Sequence, residues 1–267
     1  MTAAATSLLL ALLATTLMMT VLWLIQRRTG NAGIVDVGWG MGQAMLPVLY
    51  FLLLEGYLVR QVVITLLGLL TGGRLAWHLW RRIIGYPEEG RYQALREKWG
   101  ARTDVKLYFF FQFQALLLVV FSLPYLLVNL HRTPHLQFLE IMAIGLGLVA
   151  FGGEALADAQ LRRFKKIPAN RDKVCRAGLW RYSRHPNYFF QWLLWVALAL
   201  FALAAPWGWL ALICPALMLL FLLRVTGIPP NEEQALRIKG NAYRDYQRTT
   251  SAFFPWFPRK PSNHESS

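Results

Sequence analysis

Cysteine is nearly missing from this chain: Cys175 and Cys214 are the two among 267 residues. One falls in a polar loop and the other in an apolar run, so neither a disulfide framework nor a metal cage is expected. Phosphate-binding fingerprints are missing too. No Gly-x-Gly-x-x-Gly follows a strand pattern and no Gly-x-x-x-x-Gly-Lys-Ser/Thr occurs, which excludes a Rossmann crevice and a P-loop. Acidic residues are scarce, 14 against 28 Lys and Arg, leaving a net charge of +14. Internal repeats and low-complexity linkers are absent.

What is abundant is apolar surface. With 56% hydrophobic residues and a mean hydropathy of +0.36, the chain is too apolar to hide its side chains in one water-soluble core of this size. A bilayer is the expected solvent. Crossing about 30 Å of hydrocarbon takes roughly 20 apolar residues, and seven runs approach or exceed that. They cover residues 4–25, 33–54, 58–80, 107–130, 136–157, 188–204 and 206–223. The last two touch at Ala205-Pro206-Trp207-Gly208, a tight re-entry turn by its proline and glycine, and a re-entrant pair there stays open.

Short loops rich in Lys and Arg stay in the cytosol. Placed alternately about seven spans, 25 of the 28 basic residues fall on one side; Arg60 and Arg132 fall on the other, and Arg74 lies inside the third run. The expected fold is therefore an all-α integral membrane protein of seven transmembrane helices, with the N-terminus outside and the C-terminus cytosolic. Residues 1–260 form one membrane domain and 261–267 a short disordered end. A cleaved signal peptide is not expected, because no positive charge precedes the first run and that run is long. The basic excess lies where anionic lipid would meet it, which makes membrane lipids the expected partner and nucleic acid an unexpected one. No obligate protein partner is evident.

An ionisable side chain at helix depth costs roughly 2.5 to 3.5 kcal/mol, so each marks a candidate site. Asp36 sits one turn into the second run. Arg74 and His78 share a face of the third, Glu154 and Asp158 a face of the fifth, and Asn187 and Gln191 a face of the sixth. With the topology above all lie near the cytosolic surface, where local snorkelling or pairing, such as Asp36 with Arg74, competes with a shared cavity. The loops between add Arg162, Arg163, Lys165, Lys166, Arg171 and Lys173, then Gly178-Leu179-Trp180-Arg181-Tyr182-Ser183-Arg184-His185-Pro186-Asn187-Tyr188. Cations alternating with aromatics suit a ligand having both phosphates and flat rings, as a nucleotide cofactor does.

That segment resembles the steroid 5-alpha-reductase superfamily, and most closely its bacterial membrane proteins. The resemblance extends to Gln191, to Gly240-Asn241-Ala242-Tyr243-Arg244-Asp245-Tyr246, to Thr250-Ser251-Ala252-Phe253-Phe254-Pro255-Trp256, and to Asp36-Val37-Gly38-Trp39-Gly40 and Gly90-Arg91-Tyr92. It implies a multi-pass protein of a bacterial inner membrane whose active site faces the cytosol. NADPH would deliver hydride to the beta carbon of a lipophilic enone, a steroid or isoprenoid-like molecule entering from the bilayer, while polar side chains hold the carbonyl.

By motif, the resemblance places the cofactor on Arg91, Tyr92, Asp158, Arg162, Lys165, Tyr182, Arg184, His185, Asn187 and Arg224. The substrate end departs from the family. The second run offers Asp36, Trp39 and Gln43 and the third Trp77 and His78, where relatives use a Gln-Glu pair and a tyrosine. His78 is the expected carbonyl donor, with Asp36 orienting or charging it. Gln191 stands where relatives often have glutamate, and an amide cannot ionise. Arg-His-Pro-Asn-Tyr alone also resembles the S-adenosylmethionine-dependent isoprenylcysteine and phospholipid methyltransferases. A non-enzymatic lipid-binding protein is the third reading.

Overall fold

The computed structural model describes residues 2–259, so the expected disordered end at 261–267 lies outside the described residues. Ten helices carry them: α1 (Ala3–Thr29), α2 (Ile34–Leu53), α3 (Leu58–Ile83), α4 (Gly90–Trp99), α5 (Thr103–Phe121), α6 (Leu123–Leu130), α7 (Phe138–Lys166), α8 (Pro186–Ala202), α9 (Ile213–Leu220) and α10 (Ile228–Thr249). Among the described residues there is no strand, only an isolated bridge between Ser183 and Ser251. Helix is the form in which an apolar segment satisfies its own backbone without water.

Each of the seven apolar runs is helical. Five helical stretches are long and apolar enough to cross a membrane: Ala3–Thr29, Leu58–Ile83, Gly90–Leu130, Phe138–Lys166 and Gly208–Thr249. The second run becomes α2, 20 residues diluted by Asp36, Gln43, three glycines and Pro47. The sixth becomes α8, which is 17 residues long. The expected junction between the last two runs is a turn, with Ala205 N–H donating to Ala202 O and Gly208 N–H to Ala205 O. Trp207 takes a left-handed φ of 61° there. Gly208 is required, because a Cβ on it would lie 2.0 Å from the Ala202 carbonyl oxygen.

The chain divides into two compact units. The first comprises the described residues up to Glu140 together with Leu200–Ala211; the second comprises Ile141–Ala199 and the described residues from Leu212 onward.

In the first unit α2 and α3 lie closest. A Cβ on Gly72 of α3 would meet the Ala44 nitrogen of α2 at 2.5 Å. Small residues let apolar helices approach until backbones touch, the main source of packing where lipid is as apolar as the side chains. α1 lies along α5, with Trp23 Nε1 donating to Asp104 O at 3.0 Å and Gln112 to the Thr20 hydroxyl at 3.1 Å. α1 begins on the Thr2 cap and ends on Gly30, left-handed at φ 71°, with Arg27 and Arg28 facing its negative dipole end.

At the start of α3, Arg60 is wholly buried. Its Nε and Nη2 bond the two Glu140 carboxylate oxygens, and its Nη1 and Nη2 donate to the carbonyls of His131, Thr133 and His135. All five N–H donors of the guanidinium are thereby used. Glu140 also accepts from the Gln137 N–H at 2.7 Å, and Gln61 beside the cage bonds Asn129 and the Leu54 carbonyl. The sequence pattern counted Arg60, with Arg132, on the sparsely charged side of the membrane; the fold makes it the centre of a buried cage.

In the second unit, the loop after α7 and a C-terminal strap of residues 250–259 are sewn together. Trp180 Nε1 donates to Ala157 O and Leu179 N–H to the Gln160 side chain, pinning the short turn Gly178–Arg181 to α7. Tyr246 of α10 donates to the carbonyls of Trp180 and Ser183. Arg184 N–H donates to Ser251 O, Trp256 N–H to Tyr182 O, and the Ser183 hydroxyl to Phe253 O. Between α9 and α10 a π-helical turn, Phe221–Val225, carries Arg224.

Candidate functional site

The first unit's candidate residues begin on α2. Asp36, Trp39 and Gln43 follow at three- and four-residue intervals and so share one helix face. Asp36, in the first turn where the helix dipole favours an anion, is bonded by Arg91 Nη2 and by the Tyr92 hydroxyl, which lies 3.1 Å from both carboxylate oxygens. α4 supplies both partners from its own first turn. Arg91 also meets Glu89 at 3.1 Å, and Glu89 meets Arg82 at 2.9 Å. The result is a nearly neutral chain of four charges with the buried Tyr92 ring beneath the Arg91 guanidinium, 4.7 Å away.

Two residues expected on the cofactor are thus brought onto a residue expected at the substrate. The expected pairing of Asp36 with His78 is not what forms, nor is one with Arg74: the Asp36 carboxylate goes to Arg91 and Tyr92, because α4 presents a guanidinium and a phenol at hydrogen-bond distance. His78 sits exposed in the last turns of α3, with the half-buried Arg74 one turn earlier. Trp39 packs edge-on against Phe121 at 5.4 Å. Gln43 is buried, and its Nε2 has no hydrogen-bond partner among the described residues. A buried amide N–H without a partner is costly, which makes this point of α2 a place for a ligand carbonyl or a water.

The second unit holds the remaining candidates, and they fall into two groups. Asp158, Arg162 and Lys165 recur at four and three residues along α7 and share a face. Asn187, at the start of α8, donates through Nδ2 to Asp158 Oδ1 at 3.2 Å and accepts from the Tyr188 N–H at 3.0 Å. Arg162 and Lys165 are exposed.

The other group is tied to the strap. Arg184 Nε meets Glu232 at 2.6 Å, and its Nη1 donates to the carbonyls of Gln247 and Thr250. Glu232 is held again by Gln247 Nε2 at 2.8 Å and by the Tyr243 hydroxyl at 3.4 Å. His185 stacks on Tyr188, ring centres 5.5 Å apart, and its Nδ1 lies 3.1 Å from the Ala252 carbonyl. That contact requires the proton on Nδ1. Burial holds the His185 imidazole below the usual histidine range, against the opposing pull of the Ala252 carbonyl and Glu232. Tyr182 lies edge-on to Phe257 at 6.0 Å. Arg224 is exposed in its π turn. Among the described residues no group of three His, Cys, Asp or Glu side chains is placed to hold a metal ion.

Glu232, Gln247 and Tyr246 were missed as site-building residues. The signal was present in the tyrosines of Tyr243-Arg244-Asp245-Tyr246, but the partners of Tyr246 are backbone carbonyls about sixty residues away, which no local pattern marks.

No curated protein and no solved structure matches the chain. A family model does, over residues 22–250, the span that holds every candidate residue above. The chain belongs to that family, described as a protein of unknown function (DUF1295).

Proposed function

We propose that this protein is a membrane-embedded, NADPH-dependent reductase of the carbon–carbon double bond of a lipophilic enone. The observation that carries the reading is the Asp158–Asn187 hydrogen bond beside Arg162 and Lys165, on the segment that resembles the steroid 5-alpha-reductase superfamily. The residues suit a phosphorylated dinucleotide. Arg162 and Lys165 are exposed and have no ion pair among the described residues, so their charge is available to phosphate, while the Asn187 amide, fixed by Asp158, suits a carboxamide or ribose.

NADPH, when bound, supplies the hydride. Arg162 and Lys165 bind its phosphates, and Asn187 orients its polar edge. Tyr182, Arg184 and His185 shape the surface through the strap, and Arg224 adds a cation from the π turn. Arg91 and Tyr92 fix Asp36. At the substrate end, His78 donates to the carbonyl and the unpartnered Gln43 amide offers a second donor on the face of α2 that carries Asp36 and Trp39; such donors stabilise a developing enolate. In this reading all seven helical runs span the membrane, with the N-terminus outside and the cofactor side in the cytosol.

The test is thermal stabilisation of purified protein by NADPH, by S-adenosylmethionine, or by neither. NADPH at a hundred times its Kd raises stability by about 2.7 kcal/mol. Stabilisation by S-adenosylmethionine alone overturns the reading in favour of a methyltransferase, and silence with both favours a lipid-binding protein. If the roles are correct, His78→Ala abolishes turnover and keeps NADPH binding.

A further inference from the structure

The C-terminal strap of the second unit is firmly held by its backbone, with Arg259 N–H donating to Thr249 O at 2.8 Å and Trp256 N–H to Tyr182 O at 2.9 Å. Phe253 is buried, but three of the strap's large side chains are exposed: Phe254, Trp256 and Phe257 to 53%, 71% and 76%. Rings fixed in place by an ordered backbone, and still uncovered, mark a surface built to meet something apolar.

Beside them opens a half-open cavity of about 440 Å³ whose wall includes Arg184, Arg248 and Arg259 and, among the described residues, no acidic one. Arg184 is already committed to Glu232 and two carbonyls. Arg248 has only a long 3.8 Å contact with Asp245 on an exposed surface. Two guanidinium forks therefore border a positive pocket rimmed by aromatics, one of them offset only by the long, exposed contact of Arg248 with Asp245.

We propose that this cavity seats the headgroup phosphate of an anionic phospholipid, gripped by Arg248 and Arg259, while Phe254, Trp256 and Phe257 insert at the headgroup level. Arginine forks match phosphate geometry, and tryptophan and other aromatic rings settle at the membrane–water interface. The aromatic arrangement favours a lipid over a nucleotide. Trp256 and Phe257 meet edge-on, 6.5 Å apart at 74°, so they form no parallel pair to sandwich a base. The membrane that holds the apolar helices also supplies the lipid. Apart from Arg184, three of whose five N–H donors go to Glu232 and two carbonyls, none of the residues assigned to NADPH lines this cavity, so the grip by Arg248 and Arg259 stands independently of the proposed reaction.

The experiment is native mass spectrometry of the full chain extracted from nanodiscs of phosphatidylcholine and phosphatidylglycerol. Wild type retains phosphatidylglycerol over phosphatidylcholine by roughly thirtyfold, from about 1 kcal/mol for each of the two arginines near an anionic surface. The double variant Arg248→Ala, Arg259→Ala falls to near parity, whereas Arg237→Ala, an equally exposed cation on α10 paired with Glu233, keeps the preference. Trp256→Ala lowers retention of both lipids. The proposal is overturned if wild type shows no preference, if the double variant keeps it, if Arg237→Ala loses it equally, or if adenosine 2′,5′-bisphosphate displaces the bound lipid.

Discussion

Two arginine–glutamate pairs, one in each unit, show opposite uses of the same chemistry. Arg60 and Glu140 have no exposed side-chain surface, and every guanidinium donor is spent. Arg184 and Glu232 keep 10% and 15% of theirs, and Arg184 also bonds the Thr250 carbonyl of the strap and lines the cavity beside it. The first pair closes a corner of the fold. The second ties the start of the C-terminal strap in position beside open space. A buried pair repays its desolvation only when the remaining hydrogen-bonding groups are satisfied, and Arg60 meets that condition completely.

Removing half of the closed pair has the largest expected effect. Arg60→Ala or Glu140→Ala should cost about 3–5 kcal/mol, because each leaves a charge buried without its counterpart; chemical or thermal unfolding in detergent measures it. A joint Arg60→Met, Glu140→Leu exchange should recover much of the loss. If the two single variants unfold like wild type, the cage contributes no more than a surface pair.

Glu232→Ala comes next, at about 2–3 kcal/mol for freeing Arg184, Gln247 and Tyr243 together, and it should appear as faster proteolysis within residues 250–259. Equal protection of the strap in variant and wild type would separate Glu232 from it. Asn187→Ala is expected to weaken NADPH about tenfold, near 1.4 kcal/mol, with unfolding of the unliganded protein little changed.

Acid provides a finer probe. The folded His185 titrates below its ordinary value of 6.5, so the unfolded chain takes up a proton first. The stability this group contributes is complete above pH 6.5 and declines as pH falls through the lower folded value. His185→Gln should flatten that part of a stability–pH curve. The smallest effect belongs to Arg237→Ala, below about 0.5 kcal/mol, since its pair with Glu233 is exposed on both sides.

The helices were legible in the sequence because apolar length is a local property: all seven runs and the turn at Ala205–Gly208 appear where hydropathy and Pro-Trp-Gly placed them. Asp36 was legible as a residue demanding a partner. The partner was not, because Arg91 and Tyr92 lie 55 and 56 positions away and the nearer cation, Arg74, fitted the helix pattern as well. Arg60 was misread for a related reason. At the edge of an apolar run a cation resembles a loop charge until the glutamate opening another helix is brought beside it. Asp158 and Asn187 were each singled out; that they bond each other is a tertiary fact.

The separation between Arg60 and Glu140 also has a meaning in time. Eighty residues divide them, and three helices, α4 to α6, emerge from the ribosome between α3 and α7. During synthesis Arg60 therefore waits at the membrane with neither its counter-charge nor the three carbonyls that surround it, and it must remain at the watery edge until Phe138–Lys166 is made. The cage is a late event of assembly, and a nascent chain cut short before Glu140 would hold α3 in a shallower position than the finished protein does.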